Sequence, residues 1–479
     1  MRVVVLADFG STFTKVALVE VASGRLVAGA QSPTTARTDV MKGYRCALAA
    51  AQAHAPDAVL GTRRAVSSAG GGLRVAAVGL VEDLTAAAAR QAALNAGARV
   101  ELVLSGTLDD HQVRRLKAAA PDIILFAGGT DGGQRDRVIF NAQRLIEARL
   151  PAFVVVACNA SIAWRLAQDF AAAGIDAEAV ANVMPRIGEL EIEPARRAIS
   201  KTFITHVIAG RGLSTGDEFL DMVDMPTPEA VLIATELLAA GPGGDRGIGR
   251  VAVIDVGGAT TDIHSVLVDA KDHSAKDKPM LPIPPSVRTV EGDLGMRVSA
   301  VGVAQSDGEW LNSAWPAARG PVQSALRARS ECPDFLPADA DGADFDELLA
   351  TACAATALRR HCGELSTTVR HNAPPRVVLT GPDLRELSLL IGTGGALVRS
   401  GRGARILSSA LGRQAGRALI PRGPRTVIDR SYIMASAGLL ATIDPRAAFA
   451  LLTRELGLTR ELGLTRELGL TPREERLLD

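Results

Sequence analysis

Two short segments combine an aspartate, glycines and hydroxyl side chains at the end of an apolar run. The first is Asp8-x-Gly10-Ser11-Thr12-x-Thr14-Lys15, and the second is Asp255-x-Gly257-Gly258-x-Thr260-Thr261-Asp262. Glycine lets a backbone approach an anion closely, and successive N–H groups form a concave anion-binding surface. Hydroxyl donors and a lysine cation would add to it: Ser11, Thr12, Thr260, Thr261 and Lys15. One Asp-x-Gly turn is usually only a hairpin, whereas two in matching surroundings predict a site for nucleotide phosphates.

Carboxylates in these two segments indicate a magnesium ion, and other carboxylates further along the chain are candidates for a reaction with water. Asp8 and Asp255 suit Mg²⁺, which dehydrates reluctantly and usually keeps several of its waters. Phosphoryl transfer to water needs a positioned carboxylate more than covalent chemistry, and the candidates are Glu229, Glu291 and Asp293. Each of the three could instead be an ordinary surface or capping residue. The chain has no GxxxxGK[ST] segment, so the predicted site is not a Walker A loop.

A third glycine-rich region follows a further pair of apolar runs. Val377–Thr380 leads into Gly381, and Ile391–Thr393 leads into Gly394 and Gly395. Glycine after a strand allows an adenosine ring or ribose to lie against the backbone. The alternative is a plain turn followed by the start of a helix.

The elements that must position these residues are hairpins and two helices. Strand-like runs flank both Asp–Gly segments: Val3–Ala7, Lys15–Val21, Leu26–Ala30, Arg250–Ile254 and Ile263–Val268. Each segment is therefore predicted to be the tip of a hairpin. Helices are predicted at Glu229–Ala240 and Ser431–Thr442. The second carries Ala435, Gly438 and Ala441, a face of small residues suited to close helix contact.

Between residues 58 and 205, short apolar strands alternate with helical stretches. This alternation predicts βαβ units and a parallel sheet, that is, a doubly wound α/β subdomain inserted into the chain. Ligands of such sheets bind beyond the carboxyl ends of the strands. Gly128–Gly133 lies at one such end and would bind a cobalamin or a mutase element there, or be an ordinary glycine-rich crossover.

Residues 453–470 repeat Thr-Arg-Glu-Leu-Gly-Leu three times. A six-residue period matches neither a coiled coil nor the face of a single helix. We expect a frayed or partly helical tail expanded by duplication, and a partner-binding tail is the minority alternative.

Composition excludes several classes of partner. The 479 residues contain 53 Lys plus Arg and 53 Asp plus Glu, and aromatic residues make up 3%. Neither a basic nucleic-acid surface nor a stacking platform is therefore expected. The five cysteines show no CxxC pair, and no apolar run is long enough to span a membrane, so we expect a cytoplasmic protein without a membrane partner. The cluster Cys353, His361, Cys362 and His371 fits no zinc spacing.

The order of these segments resembles the ATPase superfamily of actin, hexokinase and the heat-shock chaperones. Pro226–Ala240 and Ala435–Ala441 are similar to its two connecting helices. More narrowly, the chain resembles the MutL family of glutamate (methylaspartate) mutase accessory proteins over roughly residues 1–452. The segments that carry this narrower resemblance are Asp8–Lys15, Thr34–Val40, Pro226–Leu238, Asp255–Val266, Thr289–Arg297 and Leu379–Ala396.

The resemblance implies a two-lobed actin-like ATPase with ribonuclease H-like lobes and the inserted α/β subdomain. It implies ATP and Mg²⁺ as cofactors, with Asp8 and Asp255 holding magnesium waters, Lys15 binding phosphate, and Gly381 and Gly394 contacting adenosine. On this basis residues 1–57 begin the N-terminal lobe, and residues 58–205 form the insertion. Residues 206–452 complete that lobe and contain the connecting helices and the C-terminal lobe, and residues 453–479 are the tail.

The function that the resemblance implies is a chaperone-like ATPase with weak hydrolytic activity. Its partner would be an adenosylcobalamin-dependent mutase, glutamate mutase or a related aminomutase, which it would reactivate or assemble. Such radical enzymes lose the adenosyl group of their cofactor in side reactions. The alternatives on the same scaffold are a small-molecule kinase and an actin-like filament-forming ATPase. The sequence does not specify an oligomeric state.

Overall fold

The computed structural model describes residues 1–69, 73–208, 210, 212–268, 283–332, 334–368, 376–413 and 416–459. The strands are β1 (Arg2–Phe9), β2 (Phe13–Glu20), β3 (Arg25–Pro33), β4 (Val59–Ser67), β5 (Arg74–Val78), β6 (Arg99–Leu104), β7 (Ile123–Gly128), β8 (Phe153–Cys158), β9 (Ala177–Ala179), β10 (Val223–Pro226), β11 (Val251–Val256), β12 (Thr261–Val266), β13 (Ser286–Glu291), β14 (Glu364–Thr368), β15 (Arg376–Thr380), β16 (Leu389–Thr393) and β17 (Arg425–Ile428). The helices are α1 (Val40–His54), α2 (Ala87–Asn95), α3 (Asp110–Ala119), α4 (Asp136–Ala148), α5 (Ala160–Ala172), α6 (Glu193–Thr202), α7 (Glu218–Met222), α8 (Thr227–Ala240), α9 (Ala300–Ala314), α10 (Val322–Glu331), α11 (Ala340–His361), α12 (Gly395–Arg399), α13 (Gly403–Gly412), α14 (Met434–Ala441) and α15 (Pro445–Glu455).

Two five-stranded sheets share one topology. In the first, β1, β2 and β3 form an antiparallel meander, β4 lies parallel to β1, and the order is β10-β4-β1-β2-β3. In the second, β11, β12 and β13 form the meander, β16 lies parallel to β11, and the order is β13-β12-β11-β16-β17. Apolar residues of β1 and β11 are buried because both faces of each sheet are covered. The predicted pair of ribonuclease H-like lobes is confirmed.

A third sheet belongs to the inserted subdomain. Its order is β6-β5-β7-β8-β9, and every neighbouring pair is parallel. Helices α2 to α5 connect the strands, as the alternating pattern predicts. The helix starts are marked in the sequence: Asp109 caps α3, accepting from the backbone N–H of Gln112, whose side chain returns a bond to the cap.

Strand β4 corrects the predicted start of the insertion. The sequence placed everything from residue 58 in the α/β subdomain, yet Val59–Ser67 pairs with β1, for example Ala65 opposite Ala7. The crossover β3-α1-β4 has the same local pattern as the βαβ units that follow, so periodicity alone does not reveal which sheet the strand joins. The remaining domain limits stay predictions.

Helices α8 and α14 cross between the two lobes. A Cβ built on Gly438 would overlap the carbonyl oxygen of Ala230, so only glycine permits this approach. The surrounding apolar core draws on both sheets, with Leu6 from β1, Val253 from β11 and Leu439 from α14. The predicted close contact on the small-residue face is confirmed, and this crossing joins the lobes.

The first copy of the hexapeptide repeat is partly helical and is packed rather than frayed, since its first three residues end α15. Thr453, Leu456 and Leu458 are buried in the core between the lobes. The copies beyond Thr459 lie outside the described residues. Along the described ranges, no helix has both the length and the apolar character needed to cross a membrane.

Candidate functional site

The first Asp–Gly segment forms the turn between β1 and β2. The backbone N–H of Gly10 donates to the carbonyl of Phe13 at 3.2 Å, and a Cβ on Gly10 would lie 2.6 Å from that oxygen. Thr34 braces the turn from β3's end, because its hydroxyl donates to the carbonyl of Gly10 at 2.8 Å. Ser11 and Thr12 are left exposed at the tip, where they can meet a ligand.

The second segment forms the equivalent turn between β11 and β12. The N–H of Gly257 donates to the carbonyl of Thr260 at 2.9 Å. A following stretch braces this turn too: Met296 N–H donates to the carbonyl of Gly257 at 3.0 Å, and Arg297 N–H donates to that of Gly258 at 2.7 Å. Both predicted hairpin tips therefore exist, each at the same position in its sheet.

Two of the predicted phosphate donors, Thr260 and Thr261, donate their hydroxyl protons within the protein. Thr261 is buried on β12, and its hydroxyl donates to the carbonyl of Leu294 at 2.9 Å. The hydroxyl of Thr260 donates to Asp262 at 2.9 Å, and Asp262 also pairs with the buried Arg288. The strand's alternation turns Thr261 inward, so its hydroxyl shapes the turn instead of facing a ligand.

Lys15 lies between the carboxylates of the two turns. Its Nζ donates to Oδ2 of Asp8 at 2.8 Å, and the hydroxyl of Thr227 donates to Oδ1 at 2.7 Å. Burial opposes the ammonium charge of Lys15, but Asp8 and, more weakly, Asp255 outweigh it and raise its pKa. The lysine predicted from the first segment thus connects Asp8 electrostatically with Asp255 of the second.

The carboxyl group of Asp255 lies in a buried, negatively charged environment that raises its pKa. Burial, together with the nearby carboxylates of Asp262, Asp8 and Asp429, raises its pKa to about 7, although Lys15 acts in the opposite direction. Its side chain is still partly exposed. A carboxylate placed among other carboxylates favours a cation that relieves the repulsion.

Gly394 and Gly395 directly follow β16, and Gly394 lies beside Asp255. Gly394 has a φ of +92°, and a Cβ there would lie 2.5 Å from Oδ1 of Asp255 and 2.5 Å from the carbonyl of Val256. A Cβ on Gly395 would meet no atom within 4 Å. Gly381 has a φ of +80° and packs on Gly363. Gly394 is therefore required by the protein's own packing, whereas Gly395 borders open space.

Glu229 faces the inserted subdomain. It is buried in the first turn of α8, and its carboxylate accepts from the hydroxyl of Ser200 on α6, with Arg196 at 3.9 Å. Burial raises its pKa to about 7 despite Ser200 and Arg196. None of its contacts within the described chain reaches the two turns, and the role in positioning water is not supported by this placement.

Glu291 and Asp293 share one arginine. Arg360 donates to Glu291 at 2.7 Å and to both oxygens of Asp293 at 2.7 and 2.9 Å. The Arg360 hydrogen bonds lower the pKa of Asp293, although burial opposes the shift. This paired arrangement corresponds to the alternative of an ordinary surface ion pair for both residues.

Sequence reasoning missed three residues near Lys15. Thr227 reaches Asp8 from the start of α8. Asp429 is buried beside the site and caps α14, accepting from Ile433 N–H at 2.9 Å and from Met434 N–H at 3.2 Å. Tyr432, from the same turn, lies with its ring centroid 5.1 Å from Nζ of Lys15. An aspartate five residues before a helix of small residues was the available signal.

The other candidate clusters are internally satisfied. Asp131 of the Gly128–Gly133 loop accepts from Ala160 N–H and from the Asn182 amide, both at 2.9 Å. His361 contacts Thr289 and Ser265, while His371 lies outside the described residues. Within the ranges that the structure covers, no three His, Cys, Asp or Glu side chains gather as direct ligands of a metal ion.

Comparison with known proteins gives one family and several distant structures. A family model described as MutL protein matches residues 4–456. Protein MutL of Clostridium tetanomorphum is 36% identical over 462 residues, which is 95% of this chain and 99% of that protein. A nucleotide-free acetone carboxylase is 14% identical, covers 98% of this chain and 78% of its own, and has a TM-score of 0.37. A glycerol dehydratase reactivase is 12% identical, with 92% and 99% coverage and a TM-score of 0.31.

Proposed function

The chain belongs to the MutL protein family, and from that premise we propose that it is an ATP-dependent, chaperone-like reactivation or assembly factor. Its proposed client is an adenosylcobalamin-dependent mutase, glutamate mutase or a related aminomutase. The two halves of this proposal rest on different grounds. The ATP site is argued from residues and geometry, and the client is argued from the family resemblance of the sequence.

The observation that carries the ATP half is the meeting of two equivalent hairpin tips. Each tip comes from a sheet of the same order, and Lys15 lies between Asp8 and Asp255. A ligand that needs glycine-rich backbone, hydroxyls, one ammonium and two carboxylates is a nucleotide polyphosphate with its magnesium ion. Because an equivalent turn occurs in each lobe, one phosphate ligand would be held from both sides.

The residues fit magnesium with ATP. Both oxygens of Asp8 already accept protein hydrogen bonds, from Lys15 and Thr227. Asp8 and Asp255 therefore suit an ion that keeps its waters better than one stripped of them. Ser11, Thr12 and the backbone of Gly258 would hold phosphates. When bound, magnesium would neutralise phosphate charge and orient the terminal phosphate for attack by water.

Because the proposed site lies between the two lobes, binding of this ligand would be coupled to movement of the lobes. The first turn belongs to the lobe of β1, the second to the lobe of β11, and the lobes are joined by α8 and α14. A nucleotide bound by both turns would favour a closed cleft, and its hydrolysis or release would relax that preference. We propose that this cycle changes the contacts with the mutase, so that damaged cobalamin can leave.

The ATP half is tested by Asp255→Ala. We expect the variant to keep its fold and lose Mg-ATP binding in isothermal titration calorimetry, because the second turn loses its carboxylate. Asp245→Ala, an exposed aspartate of a loop before β11, is the matched control and should bind as the wild type does. Unchanged ATP affinity in the Asp255 variant would contradict the phosphate site.

The client half is tested by reactivation. Glutamate mutase inactivated on its cobalamin is incubated with ATP, Mg²⁺, fresh adenosylcobalamin and either the wild type or Asp255→Ala. We expect recovery of activity with the wild type alone. No recovery, together with no capture of mutase in a pull-down, would refute the client. ATP turnover that appears only with a small hydroxylated substrate would favour a kinase instead.

A further inference from the structure

Tyr432 has a backbone conformation that its residue type disfavours. Its φ is +53°, in the left-handed region, which costs a residue with a Cβ about 1–2 kcal/mol. Asp429 holds the turn from both sides: its carbonyl accepts from Tyr432 N–H at 3.2 Å, and its carboxylate caps α14. Such conformations persist where the surrounding structure imposes them, and they are enriched at functional sites.

The turn places the Tyr432 ring against two cations from different lobes. Nζ of Lys15 lies 5.1 Å from the ring centroid, and the guanidinium carbon of Arg399 lies 5.4 Å from it. Burial raises the pKa of the phenol, so the ring stays neutral at physiological pH. A neutral aromatic ring attracts each cation through its quadrupole, although it cannot neutralise them.

The two cations differ in their counterions. Lys15 is paired with Asp8 at 2.8 Å. Arg399 is exposed at the end of α12 and has no carboxylate partner in the part of the chain that the structure describes. Two arginines further along the chain do have carboxylate partners: Arg402 pairs with Asp344 at 2.8 Å, and Arg405 pairs with Glu347. Arg399 is thus a cation held at the site with its charge unneutralised.

We propose that Arg399 binds the terminal phosphate of the nucleoside triphosphate, and that Tyr432 is the positioning residue for Arg399 and Lys15. This inference rests on the proposed nucleotide site. α12 begins at Gly395, directly after the glycine that packs on Asp255. Its last residue, Arg399, contacts the same Tyr432 ring as Lys15, so Arg399 lies towards the phosphate end of the cleft rather than the adenosine end. A planar guanidinium suits phosphate oxygens because two parallel N–H groups can bind at once.

The consequence is discrimination between ATP and ADP, which is measured by titrating both nucleotides with Mg²⁺. Arg399→Gln should weaken ATP binding by about 10- to 100-fold, the loss expected for a charge-assisted hydrogen bond, and ADP binding by less than about threefold. Arg405→Gln, six residues further along the chain, is the matched control and should change neither affinity.

The positioning role is tested at the ring. Tyr432→Phe keeps the ring and loses only the hydrogen bond between the phenol oxygen and Arg399, so it should retain most of the ATP preference, whereas Tyr432→Leu should lose that preference as Arg399→Gln does. Thermal midpoints without nucleotide separate this effect from loss of folding, and the Arg399 arm decides the matter if the Leu variant does not fold.

The possible failures are distinguishable. A wild type that binds neither nucleotide would refute the proposed ATP site. A wild type that prefers ATP, with the same preference in Arg399→Gln, would refute the role of Arg399 alone. An equal loss for ATP and ADP in that variant would also refute it, since the arginine would then not contact the terminal phosphate.

Discussion

Two adjacent glycines allow the protein's own packing to be separated from ligand contact. Alanine at Gly394 would have to adopt a φ of +92° and place its Cβ 2.5 Å from an oxygen of Asp255. Alanine at Gly395 would meet nothing within 4 Å. Both positions are predicted to lie at the adenosine end of the site. The pair therefore separates a position with a positive φ and a crowded Cβ, Gly394, from one with neither, Gly395.

The expected magnitudes follow from that geometry. The left-handed backbone costs Gly394→Ala about 1–2 kcal/mol, and overpacking costs typically about 1–3 kcal/mol more, so the free energy of unfolding should fall by about 2–5 kcal/mol. Gly395→Ala should stay within about 1 kcal/mol of the wild type, with a bias towards stabilisation, because alanine is the better helix former.

Urea unfolding without nucleotide measures the change in stability, with Trp315 as a fluorescent reporter that is buried in the core of the second lobe. Titration with Mg-ATP measures the change in ATP affinity. Gly395→Ala should lower ATP affinity by about tenfold or more, because its methyl group enters the space assigned to the nucleotide. Equal stability of the two variants would refute the packing argument, and unchanged ATP affinity in Gly395→Ala would refute the adenosine contact.

Two further predictions concern α8. Glu229 has a pKa of about 7 against an ordinary value near 4.5, so the folded state holds its proton more tightly and this stability is lost as pH rises from about 4.5 through 7. Unfolding titrations should show Glu229→Gln gaining about 2–3 kcal/mol relative to wild type between pH 5 and 8; parallel curves for Glu229→Gln and wild type would refute the buried carboxylic acid. Gly438→Ala should destabilise the protein by about 2–4 kcal/mol in urea unfolding because its methyl group overlaps the carbonyl of Ala230. The control Gly412→Ala, in open space on α13, should be neutral or stabilising. Equal midpoints for the two variants would refute this packing argument.

The sequence predicted the parts of the fold that depend on neighbouring residues. The run of β-branched residues before Asp8, the matching run before Asp255, and the alternation in the insertion are local patterns, and the structure contains the corresponding strands. The partner of β4 depends on which sheet edge lies next to it, and nothing in Val59–Ser67 encodes that choice locally. Fold class was therefore predictable, whereas one boundary was not.

The same distinction between local pattern and tertiary contact applies to the residues of the candidate site. Asp8, Lys15 and Asp255 are identified by short motifs, and the structure brings them together. Thr227 and Tyr432 reach the site only because two helices cross between the lobes, a contact between residues distant in the chain. The sequence predicted the helix that carries Glu229 but not the face on which its carboxylate lies, so its role in positioning water stays a prediction. Tertiary packing decides that face.

The first turn of α8 contacts the proposed nucleotide site and the inserted subdomain at once. Three consecutive residues each contact a different body: the hydroxyl of Thr227 donates to Asp8 at 2.7 Å, the carbonyl of Pro228 contacts Nε2 of His264 on β12 at 3.1 Å, and Glu229 accepts from Ser200 on α6. A helical turn is a rigid unit, since its backbone hydrogen bonds fix neighbouring residues together. A displacement of Asp8 that moves Thr227 must therefore also strain the contacts with the second lobe and with the insertion. The first turn of α8 therefore connects the proposed nucleotide site with the inserted subdomain as well as with the second lobe.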